Sequence, residues 1–321
     1  MRTNHFDFQP KVKKENLVKS VQTVTGPVPA DELGVVLPHE HLIVDSYDVR
    51  RNSEGVLLER AMIVDEVTLY KQAGGNTIVE QTVYGLHPDP QGLRDISEKT
   101  GVKIIAGTGF YWDMYHPTWL HEMSVADITK RLVEHITVGF PGTNIRAGYM
   151  GELGTHHRKI TPTETRVLQA AAKAQIETGI PIGTHALFTE IGVDQLNILE
   201  AAGADLDFTV IGHCDTNRDL NYSRKLLDRG VWIAYDAVGQ LDKQTDELRA
   251  QSIATLLREG HGQKILISTD IAGRSRMVAH GGEGYRYLLT KFLPMLKSAG
   301  VTDAEITMLT ESNPQRFLGG S

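Results

Sequence analysis

TPTETRVLQAAAKAQIETGIPIGTH, residues 161–185, contains one full copy of the unit whose repetition decides the fold. Thr161 before Pro162, with Glu164 close behind, is the opening of a capped helix, because a hydroxyl and a carboxylate can satisfy backbone N–H groups left free in the first turn. The Ala-rich body favours helix, and Gly179 can adopt the left-handed conformation that ends one. IPIGTH (180–185) then reads as a buried strand with a His at its end.

The same alternation runs outward in both directions. Strand candidates are VVLPHEHL (35–42), NTIVEQT (76–82), VKIIAGTG (102–109), IRAGYMGE (145–152), IPIGTH (180–185), FTVIGHC (208–214), VWIAYDA (231–237) and KILISTD (264–270), eight in all. Between them lie helical patterns such as VDEVTLYKQAGG (64–75), where Val64, Val67, Leu69 and Tyr70 line one face. VDQLNILEAAG, DLNYSRKLLDRG, LRAQSIATLLREG and GYRYLLTKFLPMLKSAG follow, each closed by a glycine. Eight strands alternating with helices predict an α/β protein built as a closed (β/α)8 TIM barrel, which needs about 250 residues. An open doubly wound sheet is the alternative, but no GxGxxG follows the first strand. The expected organisation is an N-terminal extension, 1–30, followed by one barrel domain, 31–321.

Composition agrees with a large soluble core: 40% of the 321 residues are hydrophobic and 23% charged. The net charge of −7 argues against a nucleic-acid partner. The first twenty residues lack the apolar stretch of a signal peptide, so they read as a leader that stays attached, and no segment approaches the roughly 20 apolar residues of a membrane span. Cys214 is the sole cysteine and cannot form an internal disulfide, so the cytoplasm is the expected compartment. Strand alternation turns it away from His213, and it reads as core.

The chemistry gathers at strand ends. His39 and His41 stand two apart on the first strand and project to one face. His185 ends the fifth strand, His213 the sixth and Asp270 the eighth, and in a barrel these ends surround one mouth. Four His and one Asp suit zinc or a similar transition metal, and five ligands exceed what one catalytic zinc takes with a site left open. Two divalent ions are therefore expected, with zinc first and Mn2+, Co2+ or Fe2+ as substitutes. Glu152, ending the fourth strand, has two oxygens that can bridge them.

GVVLPHEHL, GELGT, GTH, GHCD and STD, in this order, resemble the phosphotriesterase-like branch of the amidohydrolase superfamily, near its phosphotriesterase homology and phosphotriesterase-related groups. The likeness runs from about residue 21 to the NPQRF segment near the end. It implies a binuclear centre in which His39, His41 and Asp270 hold one metal, His185 and His213 the other, and Glu152 bridges. Better-known members bridge with a carbamylated Lys, whereas this chain has Gly151 and Glu152 there and its next Lys only at 159. The resemblance also implies a homodimer.

Two cations sharing a water bring its pKa toward neutrality, and Asp270 is the expected proton acceptor as the metal-bridging hydroxide attacks. Arg274 and Arg276, in the loop after the eighth strand, are expected to grip an anionic group on the substrate. Tyr84 and Tyr111, with Phe110 and Trp112, are expected to wall the pocket. The predicted function is hydrolysis of a small carboxylic ester, lactone or amide, with phosphotriester or phosphoester hydrolysis as the alternative. A metal-stabilised binding protein without turnover is the remaining reading.

Overall fold

Residues 19–320 are described by a computed structural model, and residues 1–18 of the expected twenty-residue leader lie outside them. Eight strands lie side by side in chain order: β1 (Val36–Glu40), β2 (Thr77–Glu80), β3 (Lys103–Thr108), β4 (Tyr149–Gly154), β5 (Ile182–His185), β6 (Thr209–Ile211), β7 (Trp232–Tyr235) and β8 (Ile265–Ile267). Every neighbouring pair is parallel. The chain is a (β/α)8 TIM barrel, as its alternation predicts.

The connecting helices include α1 (Arg60–Gln72), α2 (Pro90–Thr100), α3 (Val125–Thr137), α4 (Pro162–Thr178), α5 (Ile191–Ala201), α6 (Leu220–Leu227) and α7 (Asp246–Arg258). α4 begins and ends where its sequence says. Thr161 and Glu164 form a reciprocal capping box, and Gly179 closes the helix at φ 73°. α1 rolls slightly from the expected face, burying Ile63, Val67 and Tyr70 while Val64 and Leu69 stay half-buried. GYRYLLTKFLPMLKSAG is less regular than its pattern. Its backbone widens over residues 288–292 before a short helix, Leu293–Ser298, because Pro294 has no N–H to continue the ladder.

β4 starts four residues later than the pattern 145–152 suggests and runs two further. The backbone of 145–147 is occupied elsewhere: Phe140 N donates to Ile145 O and Ala147 N to His135 O, tying the segment to the end of α3. β6 and β8 stop early, before His213 and Asp270, whose φ values of 56° and 45° turn the chain out of the strand.

Val36, Val79, Ile105, Tyr149, Val210, Trp232, Ala234 and Leu266 point into the barrel, one apolar layer beneath the mouth. Val21 of an antiparallel hairpin (Ser20–Thr23 with Gly26–Pro29) and Phe317 and Leu318 of a C-terminal helix (Asn313–Leu318) complete that layer at the closed end. Gly148 permits the hairpin's approach, since a Cβ there would lie 2.1 Å from the Gln22 carbonyl oxygen. The hairpin and the C-terminal helix meet where the Lys19 ammonium donates to the carbonyl of Gly320.

Candidate metal centre

Alternation along β1 sends the imidazoles of His39 and His41 to the barrel axis, where both are almost fully buried. His39 Nε2 lies 3.5 Å from Glu152 Oε2, and His41 Nε2 lies 3.3 Å from Glu152 Oε1. Asp270 Oδ1 faces the same two rings, 3.7 Å from His39 and 3.4 Å from His41. On the other side of Glu152, Oε2 is 2.7 Å from His185 Nδ1 and 3.3 Å from His213 Nε2. Glu152 therefore stands between two pairs of His, with Asp270 on one side. The structure brings together all six residues that the sequence singles out as ligands.

A second set of side chains fixes the rings. Asp236, on the residue after β7, accepts from Nδ1 of both His39 (2.7 Å) and His213 (2.8 Å), and Thr82 Oγ1 is 3.0 Å from His41 Nδ1. Holding Nδ1 leaves Nε2 of each ring free to face the centre. In the sequence Asp236 is simply the acid near the end of VWIAYDA (231–237), and nothing marks Thr82.

The donor chemistry fits metal ions. His39 Nε2 is buried without any hydrogen-bond partner. His213 Nε2 and His185 Nδ1 face each other at 2.9 Å beside Glu152 Oε2, so three lone-pair atoms converge with few protons to separate them. The electrostatics agree. Burial would push the Glu152 and Asp236 carboxyls up, yet the surrounding imidazoles hold both well below the usual carboxylate range. Burial would likewise favour neutral His41, but facing Asp270 and Glu152 push it up to about 10. This pocket demands positive charge, which in the bare chain protonated imidazoles provide, with the Lys243 ammonium at its edge.

Above the centre opens a cavity of about 400 Å3 whose walls include Arg50, Tyr111, Gln240, Lys243 and Arg276. Tyr111 meets the His185 ring edge to face at 5.0 Å. The Arg276 guanidinium donates to Val238 O (3.1 Å) and lies over the Tyr287 ring. Gln240 Nε2 donates to Asp270 Oδ2 (2.9 Å), and Lys243 Nζ is 3.9 Å from the same oxygen.

Arg274 and Tyr84 stand apart from these walls. The Arg274 guanidinium turns outward to Glu59 (2.5 Å) and Val56 O, because the backbone N–H groups of Arg274 and Ser275 are fastened to Glu54 in the loop after β1. Tyr84 stacks on buried Phe110 and lines a neighbouring groove with Met114 and Trp119. Arg50, Gln240 and Lys243 are among the wall residues that the sequence does not mark. They lie in βα loops without periodicity, and their only signal is position, after β1 and β7 at the mouth. Cys214 is fully buried, as expected, although it lies in the turn after β6 rather than on the strand.

The chain matches the Phosphotriesterase family over residues 19–318. It is similar to a phosphotriesterase homology protein of Escherichia coli, 35% identical over 288 residues that cover 90% of this chain and 99% of that protein. The crystal structure of the Escherichia coli phosphotriesterase homology protein, complexed with phosphate in its active site, superposes with a TM-score of 0.88, covering 90% and 99% of the two chains. An N-acetyltaurine hydrolase of Homo sapiens is 32% identical over 347 residues, covering 94% of this chain and 99% of that protein. The structure of an organophosphorus hydrolase from Deinococcus radiodurans is 31% identical, with a TM-score of 0.83 and coverage of 95% and 98%.

Proposed function

This chain belongs to the phosphotriesterase family and is a metal-dependent hydrolase, and on that premise we propose that it cleaves a carboxylic amide, ester or lactone carrying an anionic group. The observation that carries the anionic part is the pair of guanidiniums, Arg50 and Arg276, on the cavity wall. Among the described residues neither has a carboxylate within ion-pair distance, so both are free for a sulfonate, carboxylate or phosphate. Two relatives lend support: one is named for an N-acylated sulfonate, and one holds phosphate in its active site. An N-acyl amino sulfonate or N-acyl amino acid is the leading case.

In this reading His39, His41 and Asp270 would hold one divalent ion, His185 and His213 a second, and Glu152 would be shared between them. Zinc heads the list of ions, ahead of Mn2+, Co2+ and Fe2+, because imidazole with carboxylate is its usual catalytic donor set. Bound there, such ions supply Lewis acidity toward the scissile carbonyl and a lowered pKa for water. The chain's own residues do the rest. Arg276 and Arg50 hold the anionic end, and Tyr111 walls the reacting end beside His185. Burial opposes charge on Asp270, yet facing His41 and His39 hold its carboxyl well below the usual carboxylate range, and its Oδ2 faces Gln240 and Lys243 at the cavity. From there it can take a proton from the attacking water and pass it to the leaving nitrogen or oxygen.

Phosphotriester hydrolysis is the second reading, favoured by the organophosphorus hydrolase relative. A neutral triester leaves both guanidiniums without an anion to bind, so it is placed behind the carboxylic substrates. A homodimer in the cytoplasm completes the proposal, with solution mass and cell fractionation as its checks.

The deciding experiment is metal content per chain, followed by turnover before and after chelation on N-acyl taurines, N-acyl amino acids, lactones, neutral esters and phosphotriesters. The expected result is close to two ions per chain and chelation-sensitive turnover that is fastest on anionic acyl compounds. Fastest turnover on phosphotriesters reverses the order of the two readings. One ion or none after metal supplementation removes the binuclear assignment.

A further inference from the structure

Glu40 sits between His39 and His41 and has no part in the chemistry above, yet it is fully buried. Alternation turns its side chain away from the barrel axis and toward β8. The β1–β8 junction is the one place in the barrel without a strand ladder among the described residues, and it closes differently. Ser268 Oγ accepts from His39 N (3.1 Å) and donates to His39 O (2.9 Å), and Asp270 N donates to His39 O (3.2 Å).

The Glu40 carboxylate supplies the rest of the seam. Its Oε1 accepts from Thr269 N (2.9 Å) and Thr269 Oγ1 (2.6 Å) and lies 2.8 Å from Ser268 Oγ, whose single proton it shares with His39 O, and its Oε2 accepts from Ile271 N (2.8 Å). All four donors come from residues 268–271, on both sides of Asp270. Asp270 itself has φ 45°, a left-handed conformation that a non-glycine residue keeps only when its surroundings enforce it. Two of the donors are backbone N–H groups that a missing ladder would otherwise leave unpaired in a buried place.

We propose that Glu40 is a positioning residue, which fixes the turn carrying Asp270 against the strand carrying His39 and His41 and so sets the geometry of that half of the centre. The proposal rests on the ligand assignment given above. Only a carboxylate meets the requirement. A carboxamide has a single acceptor oxygen, so Glu40→Gln presses an N–H2 group against either the Ile271 N–H or the three donors at Oε1.

The test uses the full-length, metal-loaded protein and reads the release of its ions to a competing chelator, alongside steady-state kinetics. In Glu40→Gln one of the two ions is expected to leave about tenfold faster or more while the other keeps its wild-type rate, in line with other residues that orient ligands. The same variant should lose kcat by roughly tenfold or more with KM nearly unchanged. Adding Glu40→Gln to Asp270→Asn should cost almost nothing further, because the first change acts through the second residue. Should Glu40→Gln fail to fold, Thr269→Val removes a single donor from the opposite side of the seam and is expected to speed release of the same ion by a smaller factor. A wild type with two ions whose release neither variant alters overturns the proposal alone, as do fully additive losses in the double variant. A wild type that holds fewer than two ions overturns the ligand assignment and this proposal together.

Discussion

Arg274 and Arg276 are two residues apart in one loop, identical in chemistry, and opposite in placement. Arg276 lines the cavity, whereas Arg274 is bound to Glu59 and to the backbone of Val56. Arg276→Gln is expected to raise KM for an anionic substrate by roughly tenfold or more, the worth of a charge-assisted hydrogen bond, with kcat less affected. Arg274→Gln should leave KM within about twofold, since its ion pair is partly exposed and links two loops. Steady-state kinetics of both variants on one anionic and one neutral substrate check this, and equal effects on both substrates would defeat the assigned role of Arg276. At this scale the ligands were legible because a strand's period and a strand's end say where a side chain points. The sequence could not tell Arg274 from Arg276, because loop direction here is decided by Glu54, a residue more than two hundred positions away in the chain. Glu40 was equally illegible, since an acid between two His reads as one more polar residue until its partners in the turn after β8 are seen.

At the level of elements, strand and helix identities followed from pattern, and their ends did not. β4 is displaced because 145–147 satisfies its backbone on α3, and β6 and β8 end where a ligand residue turns the chain left-handed. These are long-range demands that local propensity does not contain. Another such demand joins the ends of β1 and β2. Glu80, the last residue of β2, is fully enclosed and accepts from the backbone N–H of Leu42 and of Thr82. Burial drives its carboxyl up from 4.5 to about 7, with charged His41 only partly opposing. The folded state therefore binds a proton that the unfolded chain has already released between pH 4.5 and about 7, and stability declines as pH rises through that window. The full loss is about 3 kcal/mol and is complete above the folded value. Denaturant unfolding at pH 5 and pH 8 should show it, and Glu80→Gln should flatten the difference; an unchanged slope in the variant would place the titration on another group.

Over the whole molecule, seven residues at the ends of β1, β4, β5, β6, β7 and β8 or in the turns just after them converge on a single buried spot that carries three carboxylates: Glu152, Asp236 and Asp270. Such convergence costs stability unless positive charge is supplied. Chelation is accordingly expected to lower the melting temperature by roughly 5–15 °C and restored metal to recover it, the size expected when the dissociation constant lies far below the free ion concentration. Calorimetry on bare and reloaded protein checks this, and equal melting temperatures would mean that the barrel is stable without its ions. The opposite end of the barrel has a consequence of another kind. The hairpin beginning at Ser20 and the helix ending at Leu318 lie together beneath the closed end, with Lys19 in contact with Gly320. The described backbone is thus a ring short of one link, and anything tethered at either side of that gap, whether a solid support, a fluorophore or a second enzyme, would face away from the mouth and leave the path of small molecules clear.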